Sequence, residues 1–276
     1  MPNSKELVTQ HYGSEGLAER ILSALEQDGK NLKALTIEDL APVDQFHTRG
    51  LTATRELIRL ADVKAGSRVL DVGSGLGGPA RVLAAEKQCH VTGIDLTKEF
   101  CEVATLLSQL SRLESVTDFR QGDATALPFE SGEFDLVITM QIQMNIADKR
   151  RFYSEIFRVL KPGARFIFQD VMSGGGGEIH LPVPWATRRE ASFLITLGEL
   201  RETLQQTGFQ VEMLEDTSEE ALAWRKNQPA AAGLVQSKLG LHLVMGEQYS
   251  LMQSNQLRNL EERRVAYVRG AARKPA

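Results

Sequence analysis

A chain of 276 residues has room for one large α/β domain, or for one domain with an added cap. Its 42% apolar content can fill a sizeable core, and a net charge of −4 without any long Lys/Arg block argues against nucleic acid as a partner. Two cysteines, Cys89 and Cys101, and five scattered histidines offer no metal-ligand spacing, so both thiols read as core residues in a reducing compartment.

Residues 4–60 read as helices. Over 14–25, Leu17, Ile21, Leu22 and Leu25 share one helical face, and a second helix spans 52–60. A turn-rich stretch ending in Ala41-Pro42-Val43-Asp44 separates them. Strands then follow at 68–72, 90–95, 116–121, 134–139 and 165–171, alternating with helices over 78–87, 98–112 and 149–160. Thr97 is placed to cap the second of these helices, and Lys161-Pro162-Gly163 to stop the third. The glycines at 174–177 form a flexible breaker. Thr196-Leu197-Gly198-Glu199 is a capping box opening a helix that ends near Gly208. Two last strands, 209–214 and 264–268, flank a long helical stretch.

This alternation predicts a Rossmann-like, seven-stranded, mostly parallel sheet with helices on both faces. Residues 1–60 are expected to form an N-terminal helical lid. Residues 61–276 form the main domain, with cap and helical segments at about 172–262. Ligands of such sheets bind beyond the carboxyl ends of the strands.

The run from Val69 through Gly73-Ser74-Gly75-Leu76-Gly77-Gly78 is a strand entering a glycine loop and then a helix. Glycines let the backbone approach a ligand closely, and the helix start presents free N–H groups. Asp95 ends the next strand, 20 residues beyond Gly75, where a carboxylate can accept from both hydroxyls of a ribose. Together the two motifs point to an adenosine-containing ligand, without choosing between a nicotinamide dinucleotide and S-adenosylmethionine. Gly122-Asp123-Ala124 offers a carboxylate for an adenine amino group and a small neighbour for its ring. Phe134-Asp135 opens the fourth strand, and Arg158-Val159-Leu160-Lys161-Pro162-Gly163 leads to the fifth.

This succession resembles class I S-adenosylmethionine-dependent methyltransferases, strongly over residues 66–171. Within that class it is similar to the glycine/sarcosine/dimethylglycine and phosphoethanolamine N-methyltransferase group. Gln10-His11-Tyr12 matches a lid element there, and the 46–54 segment around Gly50 matches a turn that touches the cofactor. The resemblance implies S-adenosyl-L-methionine as cofactor. It assigns Gly73 and Gly75 to the methionine portion, with Asp71 supporting the loop. Asp95 takes the ribose, Leu96 flanks the adenine, and Asp123 and Ala124 read its edge. Met140 and Gln141 face donor and substrate.

The chain departs from the phosphoethanolamine group at Gln141, which is acidic there, and at Asn145, which is a histidine there. Asn145 cannot act as a base. The catalytic candidates are therefore His47, Tyr12 and Gln141, with Asp170 as a further base or orienter. Arg188 or Arg189 could clamp a substrate carboxylate in bidentate fashion.

The resulting expectation is a methyltransferase of a small soluble acceptor, most simply an amine or amino-acid-like nitrogen. The alternatives are an O- or C-methyltransferase of a secondary metabolite, a non-catalytic S-adenosylmethionine-binding protein, and a nicotinamide-dependent oxidoreductase. No apolar run approaches the roughly 20 residues that span a bilayer. With no signal-peptide pattern at the first residues, a cytoplasmic protein with no membrane partner is expected. A homo-oligomer is left open.

Overall fold

Strand β1 (Arg68–Val72) is buried along Val69–Val72 on both faces, as a central parallel strand must be. In the computed structural model, which describes residues 5, 6, 11, 16–227 and 238–276, it lies between β2 (His90–Asp95) and β4 (Phe134–Met140). Strand β3 (Thr117–Gln121) adds to β2, and β5 (Leu160–Ser173) to β4, all in parallel. Strand β7 (Val265–Arg273) is antiparallel to both β5 and β6 (Gln210–Asp216). The seven-stranded order is β3-β2-β1-β4-β5-β7-β6. Strand order reverses at β1/β4, so the crevice for a ligand opens there.

Period-two alternation sends Val69, Leu136, Ile138 and Ile167 to one face of this sheet. There they meet helices α3 (Gly50–Arg59) and α4 (Gly78–Lys87). Leu70, Val72, Val137, Phe166 and Phe168 point to the other face, against α6 (Lys149–Val159) and α7 (Leu197–Thr207). Helix α1 (Leu17–Gln27) packs Leu17, Ile21 and Leu25 against Phe100, Val103 and Leu107 of α5 (Lys98–Leu110). The remaining helices are α8 (Ser218–Lys226), α9 (His242–Met245) and α10 (Tyr249–Glu261). No helix among the described residues is long and apolar enough to cross a membrane.

Several expectations need correction. Residues 37–44 are not a turn but helix α2 (Ile37–Asp44), which carries Pro42 inside it. The Thr36–Asp39 capping box and the burial of Leu40 and Val43 outweigh the amide that proline lacks. Thr97 occupies the N-cap of α5 but makes no side-chain cap; its own N–H is instead held by Asp95 Oδ1 at 2.9 Å. Lys161-Pro162-Gly163 does not terminate the third helix, because β5 begins directly at Leu160. The 174–177 glycines are not loose. Gly174 N–H donates to Arg264 O at 3.0 Å and Gly176 N–H to Arg263 O at 2.8 Å, extending the β5–β7 pairing. The Thr196–Glu199 capping box is present as expected.

Candidate active site

After β1 the chain turns sharply at Gly73, whose φ of 76° suits glycine and whose added Cβ would lie 2.4 Å from Ile142 Cδ1. Gly73 and Ser74 both donate N–H to Ile94 O, at 2.8 and 3.1 Å, which ties the loop to the end of β2. The Gly75 N–H donates to Asp95 Oδ2 at 2.9 Å. Gly78 opens α4 so close to α2 that a Cβ there would sit 2.4 Å from Asp44 O. Arg81, one turn on, is buried. It ion-pairs with Asp44 Oδ2 at 2.8 Å and donates to Ala104 O at 3.1 Å and to Leu76 O. That guanidinium fastens the glycine loop to α2 and α5. Burial raises the Asp44 carboxyl even against the pull of Arg81.

Beyond the carboxyl ends of β1, β2 and β4 lies a cavity of about 340 Å³, within the range of small-molecule sites. Asp71 reaches it from β1 and Gly73 and Gly75 from the loop that follows, Asp95 from the end of β2 with Leu96 just beyond, and Asp123 and Ala124 from the loop after β3. Met140, the last residue of β4, and Gln141 just after it also line the cavity, and Phe46 and His47 come from the segment before α3. The cofactor residues read from the sequence, together with His47 and Gln141, are therefore brought to one cavity, while Tyr12 lies outside the described residues, as does Gln10.

Four buried polar atoms of residues lining this cavity have no protein partner: Asp44 Oδ1, Asp71 Oδ2, Ser74 Oγ and Gln141 Nε2. Such groups cost stability unless something bonds them. Burial, with the charge of Asp95 behind it, raises the Asp71 carboxyl to about 7. Burial also raises Asp95, although the Thr97 and Gly75 amides pull the other way. Gln141 is held at φ 55°, a left-handed conformation rare for a residue with a side chain. Asp123 is pushed up by burial but ends below its ordinary value, because Lys5 ion-pairs with Oδ2 and Thr125 donates to Oδ1.

His47 sits in the wall. Its Nε2–H donates to Gly50 O at 3.0 Å and meets Thr54 Oγ at 2.9 Å, while the Thr54 hydroxyl itself donates to Gln45 Oε1 at 2.5 Å. Burial lowers the imidazole from 6.5 to about 4, and the Gly50 carbonyl only partly opposes this. The ring is neutral at physiological pH.

Other candidates fall outside the cavity. Asp170 is buried behind its floor, accepting Gln143 N–H at 3.1 Å. Arg189 pairs with Glu178, and Arg188 lines a neighbouring cavity of about 380 Å³ with His11 and Met245. His11 Nε2–H donates to Pro184 O at 2.9 Å. Asn145 is a strut. Its Nδ2 donates to Trp185 O at 2.8 Å and Ala191 O at 3.2 Å, joining floor to cap. Trp185 and Asp44 escaped sequence reasoning, as did the Arg81 contact. The only signal was a lone arginine within an otherwise apolar helical run.

Residues 70–168 match the family described as a methyltransferase domain, and the sheet order above frames that segment. Residues 70–168 thus correspond to a methyltransferase domain, and the seven-stranded order is that of the class I methyltransferase fold. The fold of phosphoethanolamine N-methyltransferase 2 from Haemonchus contortus matches it with a TM-score of 0.72 at 22% identity. That match covers 100% of this chain and 61% of the other, which is in complex with phosphomonomethylethanolamine and S-adenosylhomocysteine. Glycine/sarcosine/dimethylglycine N-methyltransferase of Actinopolyspora halophila is 27% identical over 215 residues, 74% of this chain and 38% of that protein. The 24-methylenesterol C-methyltransferase 3 of Arabidopsis thaliana is 34% identical over 110 residues, 40% of this chain and 31% of the other. The methyltransferase domain and its flanks thus span about a third of the length of these curated relatives.

Proposed function

We propose that the chain is an S-adenosylmethionine-dependent methyltransferase whose acceptor is a small amine with an apolar body. The observation that carries the amine is the charge of the cavity. Among the described lining residues the ionisable acids and bases are Asp44, Asp71, Asp95, Asp123 and Asp148 against Lys5 and the neutral His47, with no arginine. Asp44 is paired with Arg81, and Asp71, Asp95 and Asp123 face the donor. What supports an amine is that a phosphate or carboxylate would meet no free cation among these residues, Lys5 being held by Asp123.

The residues also fit the donor. The unbonded Asp71 Oδ2 and Ser74 Oγ supply acceptors for its ammonium, beside a loop whose tight approach a Cβ would block. Asp95 would take the ribose hydroxyls, and Asp123 and Ala124 the adenine edge. When bound, S-adenosylmethionine supplies an electrophilic methyl group on a positively charged sulfur. The protein's own task is alignment and exclusion of water, worth up to about 7–11 kcal/mol in well-oriented systems. Gln141, held in a left-handed backbone conformation at the cavity wall, would position the acceptor through its side-chain amide. His47, bonded to Gly50 and held near 4, orients the wall and leaves the amine to lose its proton to water. Residues 1–60 contribute Lys5, Asp44, Phe46 and His47 to the lining, which supports their assignment as a cover over the site.

An O- or C-methyl acceptor is the second reading, favoured by the apolar cavity end at Ile142, Met144, Ile146, Trp185 and Met245. Calorimetry with S-adenosylhomocysteine and with NAD, followed by a labelled-methyl screen over amines, phenols and carboxylates, separates these readings. Transfer to amines alone is the expected result. Transfer only to phenols or carbon acids overturns the amine, and binding without any transfer leaves a cofactor-binding protein.

A further inference from the structure

Behind the cavity floor, one short stretch of backbone is gripped at both ends. Residues 143–145 form a 3₁₀ turn between β4 and α6, and Met144 and Asn145 of that turn line the cavity with the flanking Ile142 and Ile146. Asp170, on β5, accepts the Gln143 N–H at 3.1 Å. Lys149, the first residue of α6, donates through Nζ to Gln143 O and, at 2.5 Å, to Ile146 O. A carboxylate thus meets the N–H end of the turn and an ammonium meets its carbonyl end, the arrangement that complements the turn's dipole. Both side chains are buried, with Lys149 9% and Asp170 2% exposed. The buried Tyr153 of α6 is the other titratable group whose ring environment faces Asp170.

We propose that Lys149 and Asp170 are a positioning pair that seats the 142–146 floor, and through Asn145 the Trp185 cap, so that the acceptor end of the cavity responds to pH. This rests on the reading of that end as the acceptor site. Neither residue touches the cavity, so they act through backbone rather than on the reacting atoms. Burial raises Asp170 to about 7 and lowers Lys149 to about 7, each partly offset by the other's charge. Acid therefore protonates Asp170 and weakens its hold on Gln143 N–H. Alkali removes the Lys149 proton and weakens its grip on the two carbonyls. The floor is seated best near neutrality. The pair titrates jointly, so the profile belongs to both residues.

Trp185 reports this directly, since its carbonyl accepts from Asn145 and the chain's other tryptophan, Trp224, lies elsewhere. In a Trp224→Phe background, Trp185 emission is expected to follow a two-limbed pH profile centred near 7. Lys149→Met and Asp170→Asn should each lose one limb, and the double variant should be flat. Removing one partner strands a buried charge, so a single variant that fails to fold leaves the double, with both charges gone, to carry the test. S-adenosylhomocysteine affinity should stay within about twofold in all variants, because the pair lies outside the donor end. A pH profile that survives unchanged in the double variant overturns the proposal, as does a flat profile in the Trp224→Phe protein. Failure of that protein to bind S-adenosylhomocysteine would instead sink the methyltransferase reading.

Discussion

Asp95 Oδ2 accepts the Gly75 N–H at 2.9 Å, so the acid that ends the second strand also holds the loop that follows the first. Its other oxygen accepts Thr97 N–H at 2.9 Å. One carboxylate therefore shapes both loops that would meet the adenosine.

Asp95→Ala should then do more than remove a ribose acceptor. Hydrogen bonds to a charged acceptor are worth about 1.5–3 kcal/mol each, so loss of the ribose contacts alone predicts a rise in Kd above about tenfold. The freed Gly75 and Thr97 amides add a stability cost, which sequence alone did not suggest. Asp95→Asn keeps one carbonyl oxygen and should lie between wild type and Ala in both S-adenosylhomocysteine affinity and Tm. Alanine and wild-type proteins with equal affinity would remove Asp95 from the site.

Asp71 gives a protonic signature of donor binding. Burial holds its carboxyl at about 7, so about half of the free protein carries that proton at neutral pH. A bound ammonium favours the ionised form and lowers the pKa, so binding releases protons. Affinity for S-adenosylhomocysteine should accordingly weaken as pH falls below 7. Calorimetry in two buffers of different ionisation heat at pH 7 should register this release, and Asp71→Asn should abolish it. Equal heats in the two buffers would place the ammonium elsewhere.

The site was legible where function rests on local sequence. The glycine loop, Asp95 and Asp123 were each singled out from their position at a strand end and Gln141 by resemblance, and the fold puts them around one cavity. What escaped depends on partners far along the chain. The 37–44 helix was hidden by Pro42, and its anchor, Asp44, meets an arginine 37 residues away. Strand β7 was expected to stop at Val268, because Gly270-Ala271-Ala272 lacks strand-forming side chains. Phe168 explains the small residue, since a Cβ on Gly270 would lie 2.3 Å from its ring. The Lys149–Asp170 pair is of the same kind, joining a helix start to a strand interior.

The Arg81–Asp44 pair should be a structural weak point. The two side chains are 0% and 2% exposed and bonded at 2.8 Å. Breaking such a pair by removing one partner typically costs about 3–5 kcal/mol, because the other charge stays buried. Arg81→Met is expected to lower urea-unfolding stability by that amount, and the loop contact through Leu76 should carry the damage into cofactor affinity. Adding Asp44→Asn should recover much of the stability but not the affinity. A single variant within about 1 kcal/mol of wild type would show that the pair contributes little.

His47 decides between a base and a wall. Were it the base, a pKa near 6.5 would appear as an acidic limb in kcat/KM, and removing it would cost about 10²–10⁴-fold in rate. The structure holds its pKa at about 4 instead, mainly through burial, with Nε2–H committed to Gly50 O. For a group whose pKa is lower in the folded state, the unfolded chain binds the extra proton. Stability is then complete above about 6.5 and is lost progressively as pH falls toward 4, by about 3 kcal/mol over that window. His47→Asn keeps an amide donor for Gly50 O and removes the titration. Its stability should therefore lie below wild type at pH 7 by no more than one lost contact, yet fall less steeply on acidification. Turnover should stay within about tenfold of wild type, well short of the loss of a base. Urea unfolding at pH 7 and 4.5, beside a pH–rate profile with the amine found by the methyl screen, measures both. A hundredfold fall in kcat with an unchanged acid slope in stability would return the proton to His47.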